Sequence, residues 1–255
     1  NTIAEKSTSE TLSTKISYTY DRSWTFEGVL PYGFRSMDRN SLTLGSYSVK
    51  SDGMEDVKLS VSNLVWVSGS HHVFAKAGIS LPTGSISKKD DTPAGDDQSL
   101  PYNMQLGSGT YDFLPEISYI GFKDKWSFGG MVSGVLRTGK NSNSYRFGNV
   151  LESNIFGGYQ LTTDYSTSLH LAYSKWGNVQ GNDSNLDSAN SPEENPDLQG
   201  GQFFGPIIGL HAAPTTGSFK GMSADLLFAG PSWMKLNGPQ LGGSYWLELS
   251  VGWPL

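Results

Sequence analysis

Residues 12–34 read LSTKISYTYDRSWTFEGVLPYGF, with apolar side chains recurring at the even positions on both sides of Asp21-Arg22. The odd positions between them carry mainly serine, threonine, Lys15 and Glu27. An alternation of period two puts apolar side chains on one face of a strand and polar side chains on the other. The stretch therefore predicts a β-hairpin with a tight turn at Asp21-Arg22.

The same alternation recurs along the chain and predicts eleven strands. Further hairpins are predicted over 57–81, 111–136 and 147–173, and less regular strands over 204–212, 222–228 and 245–253. Charged residues inside these strands fall on the face opposite the aromatic and aliphatic residues; Lys175 and Lys220 are exceptions near strand ends. A charge facing lipid at mid-membrane would cost about 2 to 4 kcal/mol. The pattern indicates an apolar outer face.

The connections between the predicted strands alternate between short turns and long polar segments. The long segments are Arg35 to Gly53, Pro82 to Gly109, Gly139 to Tyr145, Gly177 to Gly200 and Gly230 to Gln240. Short turns at one rim and long loops at the other are typical of outer-membrane barrels. We therefore expect an all-β fold, a transmembrane antiparallel up-and-down β-barrel forming one domain over residues 1–255. An even strand count requires twelve strands, so one is expected before residue 1 or within Ser41 to Lys50.

Composition narrows the class of protein. The 255 residues are 36% hydrophobic and 12% aromatic, which is unlike a disordered chain. No cysteine is present, which excludes disulfides and thiolate chemistry. The net charge of -6 without a Lys/Arg cluster argues against a nucleic-acid partner. No apolar run reaches the ~18 residues of a membrane helix, and residues 1–10 do not resemble a signal peptide, so we interpret the chain as a mature form.

A soluble β-sandwich is the alternative, since its sheets also alternate. Tyrosine and tryptophan at the strand ends favour the barrel, because aromatic girdles mark the two interfaces of a membrane. The residues in question are Tyr20, Trp24, Tyr32, Tyr111, Tyr119, Trp126, Tyr159, Tyr165, Tyr173, Tyr245 and Trp253.

Several motifs are more specific than alternation. They are LPTGSI (81–86), DTPAG (91–95), LPYNMQLGSGTYD (100–112), WGN (176–178), PDLQGG (196–201) and GPQL (238–241). Together they resemble the outer-membrane channel family of the MetA-pathway of phenol degradation, over roughly residues 15–253. The resemblance implies a twelve-stranded barrel that takes up small, often hydrophobic or aromatic compounds. It also implies a strand before the segment that begins here and a terminal aromatic residue, where this chain has Trp253-Pro254-Leu255.

Twelve tilted strands enclose a lumen that side chains do not fill. The charged and histidine residues expected to line this path are Glu27, Lys58, Lys76, Glu116, Arg137, Arg146, Glu152, His170, His211, Asp225 and Glu248. Segment 82–109 is too long for a simple turn and is expected either to fold over or into the extracellular mouth or to lock the barrel rim. The residues expected to form a constriction there are Tyr102, Met104, Gln105, Leu106 and Tyr111.

The function expected from the sequence is passive uptake of small hydrophobic or aromatic molecules across the bacterial outer membrane by a monomer that is not an enzyme. Its expected partners are outer-membrane lipid, lipopolysaccharide and the permeant, with no cofactor, metal or catalytic residue. The alternatives are a lipid or peptide hydrolase using Ser166, Ser168, His170 and Glu152, and a plugged structural barrel. The acidic loops offer oxygen ligands for Ca²⁺ but lack the spacing of a known calcium loop, so a solvated surface is expected instead.

Overall fold

The computed structural model describes residues 2–254 and is built almost entirely of β-strands, with three short 3-10 turns at Tyr102–Met104, Pro192–Glu194 and Pro196–Leu198. In chain order the strands are β1 Thr2–Tyr20, β2 Trp24–Ser41, β3 Gly45–Met54, β4 Val57–Ser68, β5 His71–Leu81, β6 Lys89–Thr92, β7 Gly95–Ser99, β8 Asp112–Lys123, β9 Trp126–Arg137, β10 Tyr145–Arg146, β11 Val150–Gln160, β12 Tyr165–Trp176, β13 Gln180–Gly181, β14 Gly201–Ala212, β15 Ser223–Ala229, β16 Trp233–Leu236 and β17 Trp246–Gly252.

Thirteen of these strands form one antiparallel sheet in which neighbours along the chain are neighbours in space. Its continuous path is β1-β2-β4-β5-β8-β9-β11-β12-β14-β15-β17, which confirms the up-and-down arrangement and the eleven strands predicted from alternation. The sheet curls into a half-barrel. At two places a long strand is paired by two shorter ones in succession. β3 and β4 pair with different parts of β2, and β15 and β16 pair with different parts of β14.

The hairpin at residues 24–54 corrects two expectations. The segment Arg35 to Gly53 is not a loop, because the upper half of β2 pairs with β3 from Tyr32↔Met54 to Ser41↔Gly45. Ser41 to Lys50 therefore holds the tip of this hairpin and no additional barrel strand. Alternation is weak here because both faces of this extension carry polar and apolar groups. The sequence therefore resembles a loop although the backbone is extended.

The two edge strands of the sheet run in the same direction. Thr2 N donates to Asn190 O in segment 177–200, so β1 begins at the end of the half-barrel that carries the long loops. β17 also begins at that end, because it follows the connection 237–245. An additional strand running in the opposite direction would therefore be antiparallel to both β1 and β17. Residues 2–10 belong to β1, whereas the sequence showed no clear pattern there.

The two faces of the sheet follow the predicted parity. In β9, Trp126, Phe128, Val132 and Leu136 are exposed on the convex face, whereas Arg137 lies on the other face. The tight turn at Asp21-Arg22 is also present, with both residues at positive φ, as turns between twisted strands require. Among residues 2–254, no helix reaches the length and apolar character needed to cross a bilayer.

The buried apolar residues lie at the long-loop end. One cluster joins Met37 and Val49 of the β2–β3 hairpin to Leu100 and Met104. A second cluster consists of Tyr102, Tyr145, Val179 and Leu186. We call segments 82–109, 139–146 and 177–200 together the cap, because they pack on one another through these clusters.

Candidate functional site

A ladder of ion pairs lies on the concave face of the first half of the sheet. Lys15 Nζ is 2.9 Å from Glu27 Oε2, and Lys76 Nζ lies 3.5 Å from Glu27 Oε1 and 3.8 Å from Glu116 Oε2. Three of the predicted lumen residues are thus brought together. Two lysines face two glutamates, so this wall carries no net charge. Partly solvated pairs of this kind add little stability and chiefly fix side-chain positions.

The second half of the sheet forms an apolar recess of about 700 Å³ on the concave face. Its walls come from β9, β11, β12, β14, β15, β16, β17 and the connection 237–245. They include Phe203, Ile207, Leu227, Met234, Leu236 and Trp246. The rings of Phe203 and Trp246 meet edge to face with their centroids 4.9 Å apart. This apolar concavity has the size of a small-molecule site.

Two of the predicted lumen residues, Glu152 and Glu248, line this recess. Glu152 lies on β11 between Ser133 and Ser174, and Glu248 lies on β17 opposite Leu227. Across the described range 2–254, neither carboxylate has a lysine, arginine or histidine within 4.0 Å.

Sequence reasoning missed the apolar members of the recess. Phe203 precedes the outward-facing Phe204, Leu227 precedes Phe228, and Trp246 precedes Leu247, so each inward apolar residue sits beside an outward one. These consecutive pairs break the alternation. They could have been recognised as a sign that both faces of the last strands are apolar.

A smaller chamber of about 320 Å³ lies between the cap and the wall of the half-barrel. Its charged lining consists of three cations and three carboxylates: Arg35, Lys58, Arg137, Glu55, Asp56 and Asp112. Arg35 is 2.7 Å from Glu55, and Arg137 pairs with the fully buried Asp112. Lys58 and Arg137, two of the predicted lumen residues, thus both line this chamber.

Segment 82–109 forms the ceiling of this chamber. Tyr102, Gln105 and Leu106 contribute to its lining, while most of their surface and that of Met104 is packed inside the cap. Tyr111, by contrast, is exposed and lies outside the chamber. The apolar surface expected of Tyr102, Met104 and Leu106 is therefore mainly turned toward the cap clusters.

Asp56 binds segment 82–109 through three hydrogen bonds. Its Oδ1 accepts a hydrogen bond from Gly84 N at 2.9 Å, and its Oδ2 accepts from Ser108 N at 2.7 Å and Ser108 Oγ at 2.6 Å. The backbones of Gly84 and Gly107 touch, because a Cβ on Gly84 would lie 2.6 Å from Leu106 O and one on Gly107 would overlap Gly84. Only glycine permits this approach.

The aromatic cluster of the cap is tightly buried. The Tyr102 and Tyr145 rings meet at a centroid distance of 4.9 Å, and Asp183 N donates to Tyr102 Oη at 3.1 Å. Burial raises the pKa of Tyr145 and, less strongly, that of Tyr102. Both phenols therefore stay neutral at physiological pH.

Some acidic loop residues, expected from the sequence to form a solvated surface, are instead buried inside the cap. Glu194 pairs with Arg39 at 2.9 Å, with both side chains less than a tenth exposed. Glu193 accepts from Ala4 N and Ser191 Oγ, and Asp183 accepts from Asn143 and Asn185. Within residues 2–254, no three histidine or acidic side chains group together as a metal site would require.

The two luminal histidines belong to separate hydrogen-bonded pairs. One ring nitrogen of His170, Nε2, lies 2.9 Å from Ser168 Oγ, and His211 Nδ1 lies 2.7 Å from Asp225 Oδ1. In the described chain, His170 has no carboxylate partner and His211 has no hydrogen-bonded serine. Glu152 lies in the recess and contacts neither. A charge relay needs serine, histidine and carboxylate in series, so each pair is only part of one.

Arg146 occupies a different place from the one predicted. It lies in β10, outside the large sheet, where its guanidinium binds Gln180 Oε1 at 2.6 Å and Arg137 O at 3.0 Å. The following Phe147, predicted to face outward, packs instead against Tyr145 and lines the chamber. The barrel strand β11 begins only at Val150, because the chain first completes the cap.

Comparison with known proteins identifies related structures and a family, but no curated relative. No curated protein matches the chain. Among the solved structures that do match is the crystal structure of an outer membrane channel from Pseudomonas putida F1, with a TM-score of 0.63 and 13% sequence identity, covering 96% of this chain and 82% of that one. At this identity the match establishes the fold. The model of the family described as the MetA-pathway of phenol degradation matches residues 4–208, most of the chain, and this protein therefore belongs to that family.

Proposed function

We propose that this chain is a channel of the bacterial outer membrane that admits small hydrophobic or aromatic molecules by passive diffusion. The observation that carries the proposal is the recess of about 700 Å³ on the concave face, with Phe203 and Trp246 in its wall. Apolar surface inside a wet lumen is unfavourable unless a solute covers it, since burial yields about 25 cal/mol per Å². An apolar permeant gains this energy on entering the recess.

The outer face supports the membrane location. Large apolar side chains are exposed along nearly every strand of the sheet, far beyond the isolated apolar residues of a soluble surface. Placed in a bilayer, this face contacts lipid, with lipopolysaccharide around the long-loop rim. A monomer suffices, because the lumen and the cap belong to one chain. Diffusion through it requires no cofactor and no catalytic residue.

The cap supports selective rather than general entry. Segment 82–109 roofs the chamber at the long-loop end, so we propose that it constricts the path from outside. Of the alternatives, hydrolysis has little support, because the serine and carboxylate partners are divided between two histidines. A plug formed by residues 2–10 has none, because these residues are part of β1.

Liposomes carrying the purified protein test the proposal directly. Phenol and a sugar of similar size are compared, each after subtraction of its rate in protein-free liposomes. Faster protein-dependent entry of phenol is expected. Equal rates would mean a general pore, and no entry of either solute would reject the channel.

Filling the recess should slow aromatic entry. Ala172 faces the recess, and Ala172→Trp is expected to reduce protein-dependent phenol uptake by about threefold or more, because the added ring occupies the apolar surface that the solute would use. The matched control is Leu171→Trp, which places the same side chain on the exposed outer face one residue away. Equal uptake by the two variants would contradict a role for the recess.

A further inference from the structure

The recess has an electrostatic character that no other part of the lumen shares. Of all the residues in its lining, only Glu152 and Glu248 are charged, and neither lysine, arginine nor histidine is present. The opposite wall pairs two lysines with two glutamates, and the chamber beneath the cap holds three cations and three carboxylates. Net negative charge in the interior is therefore concentrated in the recess.

The two carboxylates also differ from the other luminal acids in their contacts. Glu27, Glu116 and Asp112 each have a basic partner, and Asp225 has His211. In the described range, Glu152 and Glu248 form no side-chain hydrogen bond and no ion pair, and both residues are solvent-exposed in the lining of the recess. Both carboxylates are therefore accessible to a solute that enters the recess.

The lining of the recess favours one class of solute. Two carboxylates in an apolar cleft attract cations, and low-dielectric walls strengthen that field. The faces of Trp246 and Phe203 favour a cation as well, because aromatic rings attract positive charge. The remaining surface, from Ile207, Leu227 and Met234, suits a hydrocarbon body. An ammonium group attached to an aromatic or aliphatic body satisfies all three features together.

We propose that the recess is a binding site for small amphiphilic organic cations, and that Glu152 and Glu248 make the channel prefer them over aromatic anions of the same size. This inference rests on the proposed channel function and specifies its solute class. An aromatic carboxylate would enter the recess against two like charges. A neutral aromatic would use the apolar wall alone.

Uptake of three aromatic probes of fixed charge, one cationic, one anionic and one neutral, tests the proposal. Liposomes with the intact protein are given benzyltrimethylammonium, benzenesulfonate and benzyl alcohol, under ionic conditions that hold the membrane potential at zero. We expect the cation to enter about tenfold faster than the anion, a ratio equivalent to ~1.4 kcal/mol. In the variant E152Q/E248Q, which keeps the side-chain shape, the two charged probes should enter at similar rates.

Asp96→Asn is the matched charge control, because Asp96 is an exposed acid of the outer loop segment 82–109. It should leave the cation-to-anion ratio of the intact protein unaltered. A ratio near one in the intact protein, with benzyl alcohol still entering, would overturn the cation site but not the channel. If no probe enters faster than in protein-free liposomes, the channel itself is rejected. The ratio measured on the intact protein decides the matter even if the double variant does not fold.

Discussion

Asp56→Asn should open segment 82–109 to trypsin, with cleavage after Lys88 or Lys89 becoming about 100-fold faster than in the intact protein. The buried Asp56 carboxylate accepts three hydrogen bonds, two from backbone amides and one from Ser108 Oγ. Hydrogen bonds to a charged group contribute about 1.5 to 3 kcal/mol each. An asparagine keeps only one acceptor oxygen and turns an N–H toward a donor, so at least one amide loses its partner.

Limited proteolysis followed by mass spectrometry measures this effect on the folded, detergent-solubilised protein. Asp96→Asn again serves as the control, since it removes one negative charge from segment 82–109 itself at an exposed position. Single-channel conductance should rise in Asp56→Asn, because a detached ceiling no longer narrows the chamber. If cleavage and conductance both match those of the control, the cap does not depend on Asp56.

Arg39→Met should release segment 177–200 from the β2–β3 hairpin. The Arg39 and Glu194 side chains are 5% and 7% exposed and lie 2.9 Å apart, so removing the cation leaves a carboxylate buried without its counter-charge. Breaking a buried pair in this way costs about 3 to 5 kcal/mol. Amide hydrogen exchange in residues 177–200 is expected to accelerate by about 100- to 4,000-fold.

The double variant R39M/E194L separates the charge effect from packing. Two apolar side chains can replace a buried ion pair at little cost, so protection of segment 177–200 should largely return. Lys15→Met, which removes the mostly exposed partner of Glu27 at a site far from this segment in the chain, is the control and should leave exchange in residues 177–200 unchanged. Equal acceleration in the single and double variants would show that the segment is held by packing and not by the pair.

The strands of the large sheet were predictable because their two faces differ in character. Strict alternation from Leu12 to Phe34, or from Trp126 to Leu136, separates an exposed apolar face from a polar concave face. The upper part of β2 lacks that contrast, so Arg35 to Ser41 resembled a loop. The long connections 82–109, 139–145 and 177–200 were predicted correctly. The predicted loops 35–53 and 230–240 instead contain strands that pair with the large sheet.

The candidate site was predictable only in its charges. Parity alone places Glu152 and Glu248 on the inner face. That no cation within residues 2–254 lies near them depends on the side chains of the five other strands that line the recess, β9, β12, β14, β15 and β16. The apolar wall of the recess was obscured because Phe203-Phe204 and Trp246-Leu247 read as irregular alternation. The buried core of the cap could not be predicted from the sequence either. Tyr102 is buried only because Tyr145, Val179 and Leu186 arrive from two other segments.

The position of the buried clusters at one end of the half-barrel bears on how the protein assembles. Hydrophobic association of Met37, Val49, Leu100 and Met104 requires water, and in the proposed orientation water reaches them only beyond the outer face of the membrane. In that orientation, withdrawing the strand tips from the outer side would expose these side chains again. Burial of this cluster would therefore favour insertion in one direction, with the aqueous outside supplying a driving force that lipid cannot.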